Sequence, residues 1–97
     1  MPIFISLMNL TPKGAENLKE MPALIERGIK QFEENGGKLL AFYMLIGEYD
    51  YVTIGDAPNG EMMATFLLNL AEAGYVSTKT LRAFSRDDFV SMVAKLT

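Results

Sequence analysis

Seven side chains carry the chemistry this chain could perform: Ser6, Tyr43, Tyr49, Asp50, Thr53, Thr80 and Arg82. Arg82 presents a planar guanidinium that can grip a carboxylate or another anion through two parallel bonds. The alternative for Arg82 is an ion pair with Glu48 or Asp50 of its own chain. Ser6, Thr53 and Thr80 offer hydroxyls that both donate and accept, although threonine is also a plain strand former. Tyr43 and Tyr49 add phenols and Asp50 a carboxylate, and these can work as acid or base only with shifted pKa values. Each has a structural alternative. Asp50 can hold a turn by bonding nearby backbone N–H groups, Tyr49 can pack at a seam between two chains, and Tyr43 can be a core or interface aromatic.

What is missing narrows this further. The 97 residues include no histidine and no cysteine. That removes the commonest general base and metal ligand, and with them disulfides, thiolate nucleophiles and thiolate metal sites. Carboxylates at scattered positions define no metal site, and no cofactor is expected. Nine basic residues stand against twelve acidic ones, a net charge of −3. The densest basic stretch, Lys79, Arg82 and Arg86, runs straight into Asp87 and Asp88, so nucleic acid is not an expected partner. No apolar run reaches about 18 residues and no leader pattern opens the chain. We expect a soluble, cytoplasmic protein with no membrane partner.

The elements that must position these side chains are legible. A length of 97 residues suits one domain, 1–97. Residues 3–10 alternate as a strand. Thr11-Pro12 opens a helix, as a hydroxyl cap followed by proline. Met21-Pro22 interrupts it, because the residue before proline avoids helical angles. A second helical segment is expected over 22–35, with Ile25, Gly28, Ile29 and Phe32 as its buried stripe. Strands follow over 38–46 and 51–56, joined by Gly47-Glu48-Tyr49-Asp50 as a hairpin link. Asn59 caps a helix ended by Gly74, and 75–84 reads as a fourth strand. Ser85 and Asp88 form a capping-box pattern for a last helix. The order is βαββαβ plus a terminal helix: an α+β, ferredoxin-like arrangement.

Alternation then assigns faces. We expect Ile3, Ile5, Leu7, Val52 and Ile54 to pack beneath the helices, with Leu81 and Ala83. The opposite face would carry Phe4, Ser6, Met8, Tyr51, Thr53, Thr78, Thr80, Arg82 and Phe84. That set is too apolar for water and too polar for a dry core. A second copy facing it would enclose a partly polar space, and two-fold dimers are the commonest oligomers.

The chain resembles the GYD-domain proteins, named for a Gly-x-Tyr-Asp element present here as Gly47, Tyr49 and Asp50. The likeness runs nearly end to end through Thr11, Pro12 and Gly14, Gly36-Gly37-Lys38, Phe42-Tyr43, Ala57-Pro58 and the closing Thr78, Thr80, Leu81, Arg82, Ala83 and Phe84. The resemblance implies a dimeric α/β barrel in which two sheets meet face to face. It implies almost no biochemistry. Three readings follow: a homodimer, or higher even oligomer, binding a small organic ligand; a cofactor-free oxygenase or isomerase using Tyr43, Tyr49, Asp50 and Arg82; or a protein-interaction module with no ligand.

Overall fold

A computed structural model describes residues 1–97. Its elements are β1 (Ile3–Leu10), α1 (Pro12–Glu16), a 3₁₀ turn (Leu18–Glu20), α2 (Met21–Glu34), β2 (Lys38–Met44), β3 (Tyr51–Asp56), α3 (Gly60–Ala73), β4 (Val76–Ala83) and α4 (Arg86–Ala94). The strands form one antiparallel sheet in the order β2-β3-β1-β4. This is the ferredoxin-like βαββαβ topology with an added C-terminal helix. Helices α2 and α3 lie on one face, where Phe32, Ala57 and Met63 make the small buried core, with Phe4, Phe66 and Leu67 against it.

Local chemistry sets the boundaries. The Thr11 and Asn59 side chains accept from the backbone N–H of Gly14 and Met62, capping α1 and α3. Gly74 closes α3 at φ 79°, a left-handed conformation that a side chain resists. The expected helix after Thr11 is shorter, and the break falls at Asn17 rather than at Met21-Pro22: Met21 is itself helical at φ −56° and ψ −41° and opens α2. The link between β2 and β3 is also longer than its tetrapeptide: β2 ends at Met44, and Gly47 bends the segment at φ 131°.

The assignment of faces is inverted. Phe4 packs on the helix-side core. The register aligns Phe4 with Gly55 and Arg82, and Ser6 with Thr53 and Thr80, so that whole row lies on the helix side. Ile3, Ile5, Leu7, Val52, Ile54, Lys79, Leu81 and Ala83 form the open face, with Ala41 and Tyr43 from β2. The physical reason is Phe32. Its ring packs over Gly37 and Gly55: a Cβ would stand 2.4 Å from it on Gly37 and 3.2 Å on Gly55. A side chain at Gly55 would crowd that ring, so the row that carries this glycine faces α2.

Candidate functional site

The inversion moves the polar space from between two sheets to beneath the helices. A cavity of about 330 Å³ lies there, within the range of small-molecule sites. Phe4, Ser6, Met8, Phe42, Tyr51 and Thr53 supply its sheet side. Ile25, Gly28, Ile29 and Phe32 line it from α2, and Met63, Phe66 and Leu70 from α3. The helix stripes that bury against the sheet therefore also build the cavity wall.

Its polar groups are few and placed. Ser6 is 2% exposed, and its Oγ lies 2.9 Å from Thr80 Oγ1, a bond that satisfies both hydroxyls inside the sheet. Tyr51, Thr53 and Tyr75 add three more hydroxyls, and Gln31 and Asn69 two amides. No carboxylate lines the space, and its one formal charge is Arg27, which is exposed. No three acidic side chains gather anywhere as a metal site would require.

Gly28 sits in the middle of α2, where glycine costs about 0.5–1 kcal/mol against alanine. Gly55 has a packing reason for its missing side chain; Gly28 has none. A Cβ built there meets nothing within 4 Å. The cavity wall is bare at a position where a side chain would be cheap.

Of the seven nominated residues, Ser6 and Thr53 line this cavity, and Thr80 is bonded to Ser6. The other four lie elsewhere. Tyr43 is on the open face, 62% exposed and paired with Val52. Tyr49 has the Lys79 ammonium 5.8 Å from its ring centroid. Asp50 is a structural clamp: its Oδ2 accepts the Leu10 N–H at 2.8 Å, and its own N–H donates to the Met8 carbonyl at 2.9 Å. Arg82 makes no ion pair with Glu48 or Asp50. Its guanidinium lies 4.2 Å from the Phe84 ring centroid and 5.9 Å from that of Phe4, and it donates to the Ala83 carbonyl. Tyr51, Phe42 and Gly28 were not nominated. Gly28 carried the one available signal, a glycine inside an otherwise apolar helical stripe.

Solved structures of similar shape place the chain among ferredoxin-like α+β proteins. The 5-chloro-2-hydroxyhydroquinone dehydrochlorinase of Burkholderia phenoliruptrix AC1100, solved with 2,5-dihydroxybenzoquinone, superposes at a TM-score of 0.62 with 13% identity, over 90% of this chain and 97% of that one. The 30S ribosomal protein S6 of Thermotoga maritima does so at 0.55 with 21% identity, over 97% and 98%. Functions so unlike on one fold show that the shape alone assigns none. The GYD domain model matches residues 4–93, and the chain belongs to that family. A relative from Thermus thermophilus, named glutamine synthetase and cystathionine beta-lyase binding protein, is 36% identical over 92 residues, covering 94% of this chain and 97% of that protein.

Proposed function

We propose that this chain is a homodimeric binding protein that holds a small, flat, mostly apolar organic ligand between its sheet and helices. The observation that carries this is the open space beside Gly28, kept at a cost in helix stability on the wall of an aromatic-lined cavity. The ligand's rings would lie among Phe4, Phe42 and Phe66, with its polar groups toward Thr53 and Tyr51. The dimer part rests on the open face. Ile5, Leu7, Val52, Ile54 and Leu81 form an apolar layer beside solvent, the kind of surface that another sheet buries. The enzyme reading has less support, because the residues named for it do not converge and no carboxylate lines the cavity.

The test is a thermal-melt screen of small phenols, quinones and aromatic acids, repeated with Gly28→Leu. At a hundred times Kd a ligand adds about 2.7 kcal/mol, roughly 11–22 °C for a domain of this size. The expected result is a shift for the natural chain and none for Gly28→Leu, which fills the space while leaving the fold intact. Equal shifts in both proteins, or no shift with any compound, would count against the reading.

The Thermus relative's name supports a second reading, in which this chain also engages enzymes of amino-acid metabolism. Co-elution of the purified protein with glutamine synthetase is the expected sign, and separate elution at micromolar concentration would oppose it.

A further inference from the structure

Of the residues lining the cavity only four are exposed: Arg27 and Gln31 on α2, and Asn69 and Ala73 on α3. Each pair is spaced i, i+4, which sets its two side chains on one face of their helix. Helix α2 packs chiefly over β2 and α3 over β4, the outer strands, so the space above β3 and β1 opens between the helices. These four residues are its mouth. Beneath them the wall is apolar, with Ile25, Phe66 and Leu70 from the same two helices.

The mouth is rich in donors and carries positive charge only. Arg27 brings a fork of N–H groups, and the Gln31 and Asn69 amides donate as well. Nothing in the chain neutralises Arg27. The one ion pair joins the Met1 amine to Asp56. The residues three and four away from Arg27 on α2 are Ala23, Leu24, Lys30 and Gln31, none of them acidic. Glu26 and Glu72 adjoin lining residues in sequence but fall on other faces of their helices, and neither lines the cavity. Gly28 follows Arg27 with no side chain to screen it. Behind Ala73 the Lys13 ammonium donates to the Ala73 carbonyl at 2.8 Å, a second cation near the rim. A chain of net charge −3 thus holds a local positive mouth over an apolar space.

We infer that the ligand of this cavity is an amphipathic carboxylic acid. Its rings lie in the apolar interior, and its carboxylate sits at the mouth on Arg27, with Gln31 and Asn69 as further donors. A guanidinium grips a carboxylate through two parallel bonds. One guanidinium balances one negative charge, which suits a carboxylate better than a phosphate monoester carrying nearly two. The inference rests on the ligand reading of the cavity and adds the charge and polarity of what fills it.

The probes are 2-naphthoate, its neutral amide 2-naphthamide, and 2-naphthyl phosphate. They are titrated calorimetrically at neutral pH into the natural chain, Arg27→Gln, Arg86→Gln and Gly28→Leu. Arg27 is exposed, so its replacement leaves the fold standing, which an unchanged melting temperature verifies. Arg86, at the start of α4 and outside the cavity, controls for net charge. The expected result is that 2-naphthoate binds the natural chain about tenfold tighter than the amide. That preference survives Arg86→Gln and vanishes in Arg27→Gln, and Gly28→Leu binds none of the three. Equal binding of acid and amide, a preference that persists without Arg27, or tighter binding of the phosphate overturns the acid assignment and leaves the cavity reading standing. Acid binding that persists in Gly28→Leu lies outside the cavity and also overturns it. If none of the three binds the natural chain the acid assignment falls, and the cavity reading falls with it only when the wider melt screen is blank too.

Discussion

The two faces of the sheet differ in a way that runs against simple hydropathy. The face under the helices carries Ser6, Thr53, Gly55 and Thr80 beside its aromatics. The face away from them is the more aliphatic one, built on Ile3, Ile5, Leu7, Val52 and Ile54, with Lys79 and Tyr43 at its edges. A helix layer that sealed a dry core would want the aliphatic row. The smaller, wetter row lies there instead, and the space it leaves is the cavity. In the proposed dimer the aliphatic row meets a surface that interdigitates closely with it, as a second sheet does. Strand alternation therefore reports which residues share a face but not what covers that face.

The largest expected effect tests the anchor of the cavity side. Phe32 is buried and packs tilted against Phe66, with centroids 5.0 Å apart and an interplanar angle of 58°. Phe32→Ala should lower unfolding free energy by about 3–5 kcal/mol, read from urea denaturation. A loss below about 1 kcal/mol would mean that Phe32 does not fix the sheet's orientation. Next is the clamp that joins the end of β1 to the hairpin. Asp50→Asn removes the charge from the bond to Leu10 N–H and should cost about 1–2 kcal/mol, with ligand-induced melting shifts unchanged. A selective loss of the ligand response would return Asp50 to the site. The smallest effect sharpens the contrast between the glycines. Gly28→Ala should raise stability by about 0.5–1 kcal/mol through helix propensity, while Gly55→Ala, facing the Phe32 ring at 3.2 Å, should lower it. Destabilisation by both would mean that the wall beside α2 is packed.

Much of this was legible because it is local. Asn59, Gly74 and the Ser85–Asp88 box each act within a few residues, and the helices begin and end where those residues say. The βαββαβ order followed from these signals, and the family resemblance agreed with it. The phase of the sheet was not legible, because both rows of β1 are apolar enough to be buried: Ile3, Ile5 and Leu7 in one, Phe4 and Met8 in the other. The deciding contact joins Phe32 to Gly37 and Gly55, and only the folded chain brings Gly55 to that ring. Once the phase was inverted, Ser6, Thr53 and Thr80 moved from a supposed seam to the cavity side. Arg82 is nominated for its planar fork and its expected place on the open face, and its contact with the Phe84 ring has no sequence signature. Asp50, nominated for the site with a turn as its alternative, clamps the end of β1.

The difference between the faces meets its most direct test at two adjacent residues. Thr53 points into the cavity and Ile54 lies on the open face. Light scattering on Thr53→Glu and Ile54→Glu, at micromolar protein, should give twice the 10.8 kDa chain mass for the first and the single-chain mass for the second. The reverse pattern, or a single-chain mass for the unsubstituted protein, would contradict the assignment of one face to a ligand and the other to a second copy.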